Sequence, residues 1–182
     1  NTMPTIHIYE PALCCDTGVC GTDVDQSLVT VTADVRGLQE QGADITRKDG
    51  DDFSARIYVF FDRSVDSMTL KERTLFKLGR ARYGDQLPSA ALCYVWDNRH
   101  PVGKIFDNAY TAFVAMVVAS SGDARAGQWV SLQRNVAEDY RRAFNTDPPR
   151  IIGVAVSVDT DNTGEATTTY FGDIEFVAGA KP

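Results

Sequence analysis

The chain has 182 residues, of which 43% are hydrophobic and 24% charged, and its formal net charge is −7. That length allows one large core or two small ones, and the composition is that of an ordinary globular protein. A negative charge without a long basic stripe argues against a large electrostatic footprint on nucleic acid, and no apolar run approaches the ~18 residues of a membrane span.

The charge is unevenly spread: residues 1–48 carry 3 basic and 7 acidic side chains, and residues 49–182 carry 15 and 18. The opening Asn1-Thr2-Met3-Pro4 lacks the basic-then-apolar pattern of a secretory signal, so a cytoplasmic location is expected. Residues 5–9 alternate and are β-branched or aromatic, which predicts a strand. A loop containing glycine and cysteine follows from Glu10 to Gly21. Val24, Leu28, Val31, Val35 and Leu38 then recur at helical spacing on one face. Thr22 is placed to cap that helix, Asp23 and Asp25 suit its positive end, and Gly42 can end it. Residues 43–47 predict a second short strand, giving the order β-loop-α-β. Such a unit buries too little apolar surface to stand alone, so residues 49–182 are expected to cover it.

Downstream, strands are predicted at 55–62, 90–97, 111–119, 127–133, 150–158 and 166–177. The charged segment 68–82 reads as a helix or a long excursion, and 136–145 as a short helix ending before Pro148-Pro149. Many strands with few helices point to an antiparallel sandwich. The seam between the two parts falls near residues 42–52.

The strongest chemical signal is Cys14-Cys15-x4-Cys20, which holds three of the four cysteines. Thiolates select soft ions, and only the deprotonated sulfur is a ligand. Cys20 lies two residues before the helix cap, where the helix dipole lowers a thiol pKa, and Gly18 and Gly21 let the loop fold back on one ion. Three sulfurs suit a trigonal ion better than tetrahedral zinc. The competing readings are incidental thiols or a redox pair, although Cys-x-x-Cys is absent. Cys93, between Leu92 and Tyr94, reads as a buried small hydrophobe.

Asp159, Asp161, Asn162 and Thr163 crowd oxygen ligands into one loop at a spacing that Ca2+ accepts, and a solvated turn is the plainer reading. Gly50-Asp51-Asp52 is a weaker echo, read as a turn. Trp96 and Trp129 fit either core positions in strands or a platform on which a sugar stacks. His7 and His100 are too few for a triad or zinc cluster, and there is no phosphate-binding glycine loop, so no enzyme activity is expected.

Residues 4–47, above all Ile8-Tyr9-Glu10-Pro11-Ala12-Leu13-Cys14-Cys15 and Gly18-Val19-Cys20-Gly21-Thr22-Asp23-Val24-Asp25, resemble the start of the ArsD family of arsenic metallochaperones and weak repressors. The resemblance implies a thioredoxin-like fold, As(III) or Sb(III) held by Cys14, Cys15 and Cys20, and delivery to the pump ATPase ArsA. It also implies a homodimer that binds operator DNA and is released by metalloid. The likeness stops at Arg47.

Residues 43–182 resemble the C-terminal part of an uncharacterised, usually exported bacterial domain family. The likeness runs through Lys48-Asp49-Gly50-Asp51-Asp52-Phe53, Ala91-Leu92-Cys93-Tyr94-Val95-Trp96, Val158-Asp159-Thr160-Asp161-Asn162-Thr163-Gly164 and Tyr170-Phe171-Gly172-Asp173-Ile174. The expected fold is therefore α/β plus mostly β: a truncated thioredoxin-like β-α-β unit over residues 1–47, then an antiparallel, jelly-roll-like β-sandwich over 48–182.

Overall fold

The computed structural model describes residues 4–9 (through their backbone), 43–44, 46–84 and 87–178. The three-cysteine loop, its following helix and Gly42 lie outside the described residues. What is described is mainly β, with two sheets and two helices.

The larger sheet is built from β2 (Phe53–Phe61), β3 (Ala90–Asp97), β4 (Ile105–Asp107), β5 (Val114–Ser121) and β7 (Ile151–Asp159), in the order β4-β5-β3-β2-β7. Composition explains the order. β3 (AALCYVWD) and β5 (VAMVVASS) are apolar on both faces and almost wholly buried, as central strands must be. β7 lies at the edge, with Ile152, Val154, Val156 and Val158 exposed. Pairing is antiparallel except between β3 and β5, which run parallel from Ala91 opposite Val114 to Asp97 opposite Ser121. The expectation of a wholly antiparallel arrangement fails at that pair. Residues 98–113 form a crossover instead of a hairpin, and β4 within them pairs on the far edge of β5.

The smaller sheet has the order β6-β1-β8, with β1 (Pro4–Tyr9) between β6 (Gln133–Asn135) and β8 (Asp173–Ala178), antiparallel to both. Ile6 lies opposite Arg134 on one side and Phe176 on the other. The amino-terminal strand is thus completed by two strands from the end of the chain.

One face of the larger sheet presents Ile57, Val59, Phe61, Leu92, Tyr94 and Val117 to Val136 and Tyr140 of helix α2 (Val136–Phe144), and Ile174 of β8 packs against the same cluster. The opposite face gathers Phe53, Cys93, Val95, Met116 and Val118. Helix α1 (Leu70–Tyr83) is held differently. Its Phe76 meets Phe113 edge-on at 5.5 Å, beside Met68, while Leu70, Leu75 and Leu78 are exposed.

Three predicted strands change. Where a strand is expected at 43–47, the described residues turn instead: the Asp44 carboxylate accepts from Thr46 N at 3.0 Å and Thr46 Oγ1 at 2.6 Å, a side-chain turn that competes with a ladder. The strand expected at 127–133 shrinks to Gln133–Asn135, because Gly122 and Gly127 adopt φ of 73° and 74° and a turn closes from Asp123 to Ala126. The strand expected at 166–177 begins only at Asp173.

Candidate functional site

Two features outside the regular core bring chemistry-bearing residues together. The first is a cavity of about 110 Å3 between the larger sheet and the segments 129–134 and 169–172. Its wall includes Trp96 at the end of β3, Trp129 in the loop before β6, Tyr170, Leu132 and Phe171. The Trp129 and Tyr170 rings stand 6.5 Å apart and tilted by 53°, an aromatic corner. Trp96 and Trp129 are therefore both half-buried in the wall of one cavity, Trp96 from a strand and Trp129 from a loop.

Most of the polar side chains in that wall are already engaged. Arg134 grips Asp139 with two hydrogen bonds, Nη2 to Oδ1 at 2.7 Å and Nε to Oδ2 at 3.0 Å, and Tyr94 Oη donates to Oδ2 at 3.1 Å. Burial, then the neighbouring Asp139 carboxylate, pushes the Tyr94 phenol well above its ordinary pKa, so it remains a donor. Arg56 donates from Nε to Ser157 Oγ and from Nη2 to Asp159 Oδ2, both at 2.7 Å. Trp96 Nε1 donates to the Gly122 carbonyl at 2.8 Å, Arg125 donates to Ser120 Oγ at 3.0 Å, and the Thr169 hydroxyl donates to the Ser54 carbonyl.

The second feature is a trio of carboxylates, Asp52, Asp159 and Asp161, each with a ligand oxygen within 4.8 Å of the others. The register of β2 against β7, with Phe53 opposite Asp159, sets Asp52 beside the loop that follows β7. Asp52 is buried and accepts from Asn162 N at 3.1 Å and Thr163 N at 2.7 Å. Asn162 Nδ2 donates to the Lys48 carbonyl at 3.0 Å and to Asp51 Oδ1 at 3.2 Å. Of the residues read as calcium ligands, Asp159 and Asp161 come together, while Asn162 and Thr163 turn their amides on Asp52 and clasp the loop. Repulsion from Asp159 raises the Asp161 pKa, and burial raises that of Asp51, beside which Tyr110 and Asn162 donate. A cation at the trio would relieve that repulsion. From sequence Asp52 reads only as part of a turn, and Arg56 as no site residue at all, because the strand pairing that delivers them spans more than a hundred residues.

Cys14, Cys15 and Cys20 lie outside the described residues. Cys93 is buried in β3 and its thiol is pushed up to about 12 by burial, which makes it a packing residue and not a nucleophile. His100 Nδ1 sits 2.8 Å from the buried Asp97 carboxylate, which also accepts from the His100 amide and so fixes the bend after β3. Among the described residues no helix is long and apolar enough to cross a membrane.

Comparison with known proteins gives two findings. A 45-residue segment is 53% identical to an arsenical resistance operon trans-acting repressor ArsD of Escherichia coli, covering 25% of this chain and 38% of that protein. A second E. coli protein of the same description is 51% identical over the same length. The chain thus spans under two fifths of the length of these curated relatives. No solved structure matches it. The second finding covers most of the chain: residues 35–175, which include β2 to β7, both helices, the cavity and the carboxylate trio, match the model of a family described as "Protein of unknown function (DUF3047)". By that match the chain belongs to the DUF3047 family, with a short ArsD-like segment at its amino-terminal end.

Proposed function

We propose that this is a binding protein and not an enzyme, whose first 47 residues hold As(III) or Sb(III) through the thiolates of Cys14, Cys15 and Cys20. The 53% identity with an E. coli ArsD over 45 residues carries the reading. The chemistry agrees: three soft sulfurs in a glycine-containing loop suit a trigonal thiophilic ion. In this account the segment is thioredoxin-like, works in the cytoplasm where thiols stay reduced, and passes its ion to an efflux ATPase of the ArsA type. Repression of an operator by a homodimer, relieved by arsenite, belongs to the same proposal. Titration of the full chain with arsenite is expected to saturate near one ion per chain, and Cys14→Ser or Cys20→Ser to abolish tight binding. Unchanged affinity in either variant removes the reading. Binding is expected to weaken on acidification, because each sulfur must lose its proton.

A second reading is favoured by the cavity: the β-rich remainder, a jelly-roll-like sandwich, is a small-ligand-binding module. The carboxylate trio makes Ca2+ a candidate brace for the loop after β7. Calcium is expected to raise the melting temperature of the wild type and leave that of Asp161→Asn unchanged. A calcium response that survives in Asp161→Asn would dissociate the ion from this loop.

A further inference from the structure

We infer that the cavity beneath Trp129 and Tyr170 is a site for a small, neutral aromatic ring, an inference that rests on the small-ligand reading of the β-rich part and names its ligand class. Size is the first argument. An engineered protein cavity of about 150 Å3 lined by apolar side chains stays dry and takes up benzene; the space here, about 110 Å3, is on the scale of a single ring. The lining is the second. Trp96, Trp129, Tyr170, Leu132 and Phe171 offer ring faces and methyl groups, and the Trp129–Tyr170 corner, at 6.5 Å and 53°, allows an entering ring to meet one neighbour edge-on.

The third argument is what the wall withholds. A sugar brings several hydroxyls, each of which loses its water on entry and must find a partner. Most of the wall's polar side chains are already bonded to the protein: Arg134 and Tyr94 to Asp139, Arg56 to Ser157 and Asp159, the Trp96 ring N–H to Gly122, and the Thr169 hydroxyl to Ser54. A quaternary ammonium ion would meet the aromatic faces but also the positively charged Arg134 in the wall. A neutral ring demands none of these donors and packs on the indole and phenol faces.

The test uses the full chain and three probes: toluene, methyl β-glucoside and tetramethylammonium chloride, followed by tryptophan fluorescence and by NMR shifts of the cavity methyl groups. Toluene is expected to give a saturable response and a raised melting temperature, the other two none. Ala119→Met, which fills space from β5, is expected to weaken toluene at least about tenfold without lowering the melting temperature of the free protein. Ala55→Leu repeats the test from β2 should the first variant fold poorly. Toluene binding untouched by both filled variants would overturn the site. A saturable response to the glucoside or the ammonium ion that Trp129→Ala removes, with none to toluene, would overturn the ring while keeping the small-ligand module. Silence from all three probes would remove both.

Discussion

Asp139 and Tyr140 are neighbours in α2, both almost wholly buried, and they carry opposite consequences for stability. Asp139 is the shared acceptor of Arg134 and Tyr94, with Arg142 Nη1 also 3.6 Å from it. Removing the carboxylate strands a guanidinium and a phenol in a low-dielectric site. Asp139→Ala is therefore expected to cost about 3 kcal/mol or more, read as a shifted urea midpoint. The Tyr140 hydroxyl, by contrast, has no hydrogen-bond partner among the described residues, although its ring packs on Phe61 at 4.6 Å and Phe144 at 4.7 Å. Tyr140→Phe keeps the ring and removes an unsatisfied oxygen. It is expected to leave stability unchanged or raise it by about 1 kcal/mol. A loss of similar size to that of Asp139→Ala would mean that the hydroxyl has a partner after all.

Helix α1 depends on its ends more than on its face. Phe76 is its main core anchor, so the capping box at Thr69, where the hydroxyl accepts from Glu72 N at 3.2 Å and the Glu72 carboxylate accepts from Thr69 N at 2.7 Å, has unusual leverage. Thr69→Ala is expected to cost about 1 kcal/mol and to speed amide exchange within α1 before any other element. Acidification acts at the same place. The hydrogen bond from Arg63 Nη1, at 2.9 Å, leads the effects that lower the Glu72 pKa. Because the folded value lies below the ordinary one, this contribution is present above the usual carboxylate pKa and is lost as pH falls through the folded value. Exchange in α1 is expected to rise in that acidic window and to stay flat from neutral to mildly alkaline pH.

The capping signal, Thr-x-x-Glu, is local and could have marked the start of α1, in a segment that reads from sequence as a helix or a long excursion over 68–82. β2, β3 and α2 were legible, because their patterns need no distant partner. What stayed hidden was non-local. Gly122 and Gly127 broke a plausible strand, and the β3–β5 crossover made a parallel pair where alternation alone suggested hairpins. Asp52 joined Asp159 and Asp161 only through a register set between strands at opposite ends of the domain. The cysteine motif is read from spacing and chemistry alone, and its residues lie outside the described ones.

On the scale of the whole molecule, β1 ties the two parts together. It is the central strand of the smaller sheet, and its last residue, Tyr9, pairs with Asp173, next to Gly172 in the cavity wall. The ArsD-like segment therefore supplies structure to the DUF3047 part as well as cysteines. Proline at Ile6 would remove a ladder hydrogen bond from a strand that is paired on both sides. Ile6→Pro is expected to cost about 3 kcal/mol and to shift the single unfolding transition of the β-rich part. An unchanged midpoint would show that the first strand is an appendage, and the segment would then have to be judged by its thiols alone. Those thiols carry the central claim, and X-ray absorption at the arsenic edge of the arsenite-loaded chain tests it most directly. The account predicts a first shell of three sulfurs and no oxygen, reduced in Cys15→Ser; a shell containing oxygen, or three sulfurs that survive that substitution, would contradict it.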